Sequence, residues 1–315
     1  MTCELPFKDL VPAAKLIASV IYILSAIVAS VGNTISLVIL FQRSQRSSKS
    51  NKILTSLAIS DCLVGFVCFP LAALILNLKD LRCTPIFLAY VFASIWLTGC
   101  STCSVSFISY DRYIALTKYA RYDEILTDCK IYSVVSLYGV LMLAFSSFCL
   151  AEPLVYYFGS PLIIIGSVIT LCTCYYFVWK AFQQSEARIR EISNTNNDAK
   201  TKRRHKRAHR LARKVLNLIA FYLAFYVPTL FFVVLSLIQA AKPKVISADF
   251  LSYTYYIMSY VGLSNSCCNP FIYLWRDREF RADFERLFWR RSGNIGRVNR
   301  MTHRTNDTTM ATSSL

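Results

Sequence analysis

Residues 53–78 read ILTSLAISDCLVGFVCFPLAALILNL, a run of 26 positions with one charge, Asp61. A helix climbs about 1.5 Å per residue and a hydrocarbon core is about 30 Å thick, so about 20 such residues cross a bilayer. Working outward, six further charge-free stretches occur at 16–42, 83–110, 131–151, 153–179, 215–241 and 250–275. The pattern predicts an all-α integral membrane protein, a seven-transmembrane helix bundle, with Asp61 as the one formal charge inside any span. A carboxylate at membrane depth is costly unless it faces a polar interior. Asp61 therefore points into the bundle and marks a functional position.

The chain has 315 residues, 55% of them apolar, which leaves room for one bundle and short flanks. The expected organisation is a short extracellular N-terminus (1–15), the bundle (16–275), an amphipathic eighth helix (276–291) and a disordered cytoplasmic tail (292–315). A net charge of +17 would suit a nucleic-acid binder, but its placement points elsewhere. Of 35 Lys and Arg, 29 fall in 42–52, 111–130, 180–214 and 276–315, the alternate segments that share one side of the membrane. By the positive-inside rule that side is the cytoplasm, so the N-terminus is outside and the C-terminus inside. The basic run from Lys202 to Arg207 then reads as a loop beside anionic lipid, with no nucleic-acid partner.

Glu4 and Asp9 break any basic leader, and the first apolar run is too long for a signal-peptide core, so the first span is expected to act as its own signal anchor. Most of the 12 cysteines lie within spans as small apolar residues. Only Cys3, Cys83 and Cys149 fall near the outer face, where one disulfide can form, with the connectivity open. Cys100 with Cys103, and Cys172 with Cys174, lack neighbouring His or carboxylate ligands and read as packing residues.

The third span ends in Asp111, Arg112 and Tyr113, and the seventh carries Asn269, Pro270, Phe271, Ile272 and Tyr273 just before Arg276. Together with Gly32-Asn33, the run Leu57 to Asp61, and Pro228 in the sixth span, these motifs make residues 15–290 resemble the rhodopsin-like (class A) G-protein-coupled receptors. Arg112 can be held by Asp111, and its planar fork can turn to other partners when helices part. Pro228 and Pro270 each remove a backbone hydrogen bond and create a bend point. The resemblance implies a plasma-membrane receptor that binds an extracellular ligand and promotes GDP release from heterotrimeric G proteins, with Tyr175 or Tyr176, and Tyr273, as candidates to steady Arg112 in the open state.

The resemblance also implies an allosteric sodium pocket of Asp61, Ser101, Asn265, Ser266 and Asn269, all bearing hard oxygen ligands. Ligand-facing positions by resemblance are Ser94, Thr98, Tyr226, Thr229, Leu230, Val233, Tyr255, Ser259 and Leu263. None is charged. Ser94 stands where aminergic receptors hold an aspartate, and the seventh span has no lysine for retinal, so a neutral small molecule, a lipid-like molecule or a peptide is expected.

Several positions depart from the family pattern. Tyr226 and Tyr222 replace the usual tryptophan and phenylalanine of the sixth span, and the fourth span lacks its usual tryptophan. The cysteine that usually begins the third span is displaced to Cys83, about ten residues around Glu152 to Gly159 join spans four and five, and Pro161 stands at the entrance of span five. These last features resemble the melanocortin and cannabinoid receptor group. Lys206 to Arg210 offers no acid to lock Arg112, which implies raised basal signalling.

After Arg276, Phe280, Phe284, Leu287 and Phe288 recur at helical spacing among arginines, predicting a helix on the inner leaflet in contact with membrane lipids. Thr302, Thr305, Thr308, Thr309, Thr312, Ser313 and Ser314 are expected substrates of a receptor kinase and, once phosphorylated, an arrestin site, and Ser313 to Leu315 fits a PDZ ligand. The competing class is a transporter or channel using Asp61 as an ion site, but such proteins usually show inverted repeats and more intramembrane charges. No enzyme is expected, since no nucleophile, base and ligand set converges.

Overall fold

The computed structural model describes residues 11–44, 49–77, 84–192, 222–239, 241–242, 245–276 and 278–288. Cys3, Cys83, the basic run 202–210 and the tail hydroxyls lie outside them. Every regular element among the described residues is helical. In chain order these are α1 (Pro12–Ser44), α2 (Lys49–Leu63), a π-turn (Val64–Cys68), α3 (Phe69–Asn77), α4 (Pro85–Thr117), a 3-10 turn (Tyr119–Arg121), α5 (Tyr122–Ile125), α6 (Asp128–Ala151) and α7 (Pro153–Ile192). They are followed by α8 (Tyr222–Gln239), α9 (Ala248–Arg276) and α10 (residues 278–288).

Six helical stretches are long and apolar enough to cross a membrane: Pro12–Gln42, Lys49–Asn77, Pro85–Ala115, Asp128–Ala151, Val155–Ala181 and Tyr222–Gln239. The seventh, α9, has the length at 29 residues, but Ser252, Thr254, Ser259, Ser264, Asn265, Ser266 and Asn269 dilute its apolar content. The span Lys49–Asn77 is one helix with a π-turn inside it. Pro70 has no N–H for the Phe66 carbonyl, and the widened turn just before it takes up the mismatch.

Helices outrun the charge-free segments because a backbone ladder does not stop at the membrane edge; α4 continues through Asp111 and Arg112 to Thr117. Thr84 and Thr127 start α4 and α6 by accepting from the N–H groups of Phe87 and Lys130, and Pro85 occupies the first turn of α4. The expected ten-residue connection between spans four and five is absent. α6 ends at Ala151, Glu152 is extended, and α7 begins at Pro153. A residue before proline is driven out of the helical region, while proline itself is preorganised for a first turn, so one junction residue suffices. Pro161 is accordingly inside α7 and not at its entrance.

The chain divides into two compact units, Met1–Cys268 and Asn269–Leu315. In the first, one core cluster gathers Tyr22, Val64, Phe69, Leu76, Phe87, Tyr90 and Leu263, and a second gathers Ile53, Phe107, Ile114, Leu126 and Ile131. Leu16, Ile17, Val20, Ile23, Leu162 and Phe231 are exposed, as lipid-facing residues are. Lipid is as apolar as leucine, so close approach of small residues matters more for helix pairing than burial. Gly65 supplies such an approach: a Cβ there would stand 2.6 Å from the Ser30 backbone nitrogen. In the second unit, Arg281 donates from Nε and Nη2 to the carbonyl of Leu274, and from Nη2 to that of Trp275, capping the end of α9. Phe280 is buried against Tyr273, and Phe284 lies against Phe288, so the apolar stripe of α10 sits on one face.

Candidate functional site

α4 carries three sites in succession. Ser94, Thr98 and Thr102 recur every four residues and line a cavity of about 760 Å³ bounded by α4, α6, α7, α8 and α9. That volume suits a drug-sized molecule. The Ser94 and Thr98 hydroxyls donate to the carbonyls of Val91 and Ser94, which leaves their oxygens as acceptors. Among the described residues Glu152, exposed at the end of α6, is the one formally charged group on the cavity wall. Tyr226, Thr229, Tyr255, Ser259 and Leu263 also line it. Leu230 and Val233 do not: Tyr226, Thr229 and Phe232 share the inward face at three-residue spacing, so Phe232 takes the place expected for Val233, which is buried in packing.

Beside this cavity Ser101 turns to the neighbouring α2. Its hydroxyl donates to Asp61 Oδ1 at 3.0 Å, and Ser266 from α9 donates to the same oxygen at 2.8 Å. Asp61 is fully buried, and Asn265 is nearly so. The carboxylate and two hydroxyls form a hard, oxygen-only donor set of the kind that fits a hard monovalent or divalent cation. Asn269 belongs to the second unit, where it is buried.

A turn away, Asn33 on α1 donates from Nδ2 to the Ser266 carbonyl at 2.9 Å. That is the carbonyl left without a helical donor by Pro270 four residues on, so the side chain of one helix replaces the hydrogen bond another has lost. Pro228 lies within α8, where the Thr229 hydroxyl donates back to the Phe225 carbonyl.

At the far end of α4, Asp111 is buried and held from two sides. Tyr122 Oη donates to Oδ1 at 2.8 Å, and Ser50 Oγ donates to Oδ2 at 2.7 Å. Arg112 is half exposed, with Nε 3.7 Å from Asp111 Oδ2. The carboxylate is thus gripped by two neutral donors more tightly than by its sequence neighbour. Lys49 pairs with Asp123 of the short α5, and Lys52 pairs with Asp128 at the start of α6, so both elements are tied to α2. Tyr113 packs on Phe177 of α7. Tyr175 lies against Trp179, and Tyr176 is exposed, facing away from the helix interior.

The family model of the seven-transmembrane receptors of the rhodopsin family matches residues 32–155 and 149–273. The chain belongs to that family. It is therefore a receptor and not an enzyme, and it is a multi-pass membrane protein. Within the family, the octopamine receptor Oamb of Drosophila melanogaster is 30% identical over 119 residues, 36% of this chain. The match spans 18% of that receptor's length.

Against the family pattern the receptor shows residues that sequence reasoning passed over. Tyr138 of α6 makes 2.9 Å hydrogen bonds with Ser56 of α2 and Ser104 of α4, tying three helices where the usual tryptophan is absent. Isolated serines in apolar segments were the available signal. Thr102 was legible as the next member of the Ser94 and Thr98 stripe. Nothing in the sequence announced that Ser50 and Tyr122, 61 positions before and 11 after, converge on Asp111. Cys149 is a buried free thiol, and the other two outer-face cysteines, Cys3 and Cys83, lie outside the described residues.

Proposed function

We propose that this receptor sits in the plasma membrane with its N-terminus outside, takes a neutral ligand into the cavity, and in response promotes GDP release from heterotrimeric G proteins. The observation that carries the reading is the placement of both ends of a relay on α4: a cavity that reaches Tyr226 of α8, and the Asp111–Arg112 pair beyond it. A ligand that moves Tyr226 shifts α8 about the bend at Pro228, and the parting of helices frees Arg112 for Tyr175 or Tyr273. Exposure of Tyr176 argues for Tyr175 between the two on α7.

The wall chemistry supports a ligand with an uncharged, largely apolar body, either a lipid-like or aromatic small molecule or the end of a peptide whose polar part meets Glu152. The ligand in the relative's name is an amine. Here the wall at Ser94 offers hydroxyl oxygen without a counter-ion, and a buried ammonium there would be poorly compensated. Asp61, Ser101 and Ser266 would hold a sodium ion, whose charge would offset the buried carboxylate and favour the resting arrangement. The lack of an acid in 206–210 supports raised basal activity. The tail hydroxyls support kinase and arrestin engagement, Ser313 to Leu315 a PDZ contact, and the apolar face of α10 a seat on the inner leaflet.

The test is nucleotide exchange on a panel of purified heterotrimers with the full chain in lipid nanodiscs, comparing the wild type with Arg112→Ala. Exchange above the receptor-free rate, lost in the variant, is expected. Ion flux in proteoliposomes that is indifferent to Arg112→Ala would instead establish the channel or transporter alternative.

A further inference from the structure

Part of the cavity wall is a hydrogen bond between two helices. The Thr102 hydroxyl of α4 donates to Tyr226 Oη of α8 at 2.8 Å, and both residues are buried and both line the cavity. The Tyr226 ring stacks on that of Tyr222, one turn earlier on α8, with centroids 4.4 Å apart and planes 24° apart. Tyr226 is thus located by its ring along α8 and by its oxygen across to α4. Two residues later Pro228 removes the hydrogen bond that would stiffen this turn, so the orientation of Tyr226 and the path of α8 are coupled.

An indole at this position can only donate, whereas a phenol oxygen also accepts, so with Tyr226 the Thr102 hydroxyl can act as the donor, as it does here. Away from water, parting the two groups leaves two buried hydroxyls to find new partners, which makes the bond a threshold and not an incidental contact. In the same structure Arg112 Nε lies 3.7 Å from Asp111 Oδ2. We infer that Thr102 is a positioning residue of this receptor: its hydroxyl holds Tyr226, and through it α8, in the resting arrangement, and a ligand in the cavity acts by breaking that bond. The inference rests on the receptor reading above and adds the residue that sets its resting point.

The test uses the full chain in nanodiscs, with Thr102→Val, which keeps the shape and removes the donor, Thr102→Ser, which restores it, Tyr226→Phe, which keeps the stacked ring, and the valine–phenylalanine double variant. Two readouts are taken without ligand: nucleotide exchange on the heterotrimer panel, and hydrogen–deuterium exchange of residues 222–239 by mass spectrometry. One ordinary hydrogen bond corresponds to about a 5-fold change in an equilibrium. Thr102→Val and Tyr226→Phe are each expected to raise basal nucleotide exchange about 5-fold and to speed deuterium uptake in α8. The double variant is expected to go no further, and Thr102→Ser to rescue. Faster uptake in α8 with no nucleotide exchange by any form, the wild type included, supports the latch and sinks the G-protein reading. Either single variant behaving as wild type in both readouts, additive effects in the double variant, or Thr102→Ser resembling Thr102→Val overturns the latch. If the valine variant does not fold, the phenylalanine variant decides on the same two readouts.

Discussion

Tyr122 lies outside the membrane-spanning helices, yet its hydroxyl reaches the buried Asp111 and, together with Ser50, holds that carboxylate at the end of α4. Burial pushes the phenol up to about 12; the bond to Ser50 lowers it and the bond to Asp111 raises it. Because the folded value is raised above an ordinary 10, the neutral phenol contributes stability that is fully present below about pH 10 and is lost as pH rises through about 12. The melting temperature of the wild type should therefore hold level from pH 6 to 9 and fall more steeply above 10 than that of Tyr122→Phe; parallel curves would count against the contact. Asp61 is the other residue whose role is decided by what surrounds it. If the oxygen set binds sodium, adding sodium chloride in place of choline chloride should raise the melting temperature of the purified receptor, and Asp61→Asn should abolish the difference. A sodium response that survives the substitution would place the ion elsewhere.

At the scale of elements, the helices are held by small residues and by polar groups that repair one another's backbones. The Asn33 bond to the Ser266 carbonyl shows why a polar residue is tolerated in the middle of the first span. Gly65 shows the complementary device, with α1 backbone filling the space a side chain would need. Gly65→Ala is expected to cost about 1–3 kcal/mol, because backbone cannot yield as a flexible side chain does. Gly139→Ala, with nothing within 4 Å of the new methyl, should leave the melting temperature unchanged or slightly raised. Equal behaviour of the two variants would show that the α1 and α2 approach does not limit stability. The junction at Glu152 belongs to this scale as well: Pro153 read from sequence as part of a loop, but as the first residue of α7 it nucleates the helix that carries one wall of the cavity.

For the whole molecule, the distribution of Lys and Arg orders the ends of the helices relative to the membrane before any contact is known. An epitope appended before Met1 should be reached by antibody on intact cells, and one appended after Leu315 only after permeabilisation; the opposite pattern would invert the proposed topology and put the exposed Glu152 of the cavity wall on the wrong side. By the proposed topology the Asp111 grip, with the Lys49 and Lys52 ion pairs beside it, would lie on the cytoplasmic face.

What the sequence determined by itself follows from a single physical scale, the cost of putting charge and bare backbone into hydrocarbon. That cost set the number of spans, their order and the inward direction of Asp61, and it left Arg112 and Pro270 at the positions by which the family is known. Tertiary structure decided everything that depends on which helix faces which. Thr102 meets Tyr226, Tyr138 bridges Ser56 and Ser104, Tyr122 and Ser50 share Asp111, and Phe232 displaces Val233 from the cavity wall. Periodicity along one helix shows which residues share a face, but the rotation and depth at which two helices pack come from side chains distant in the chain. Those partners are made neighbours only by the packing itself.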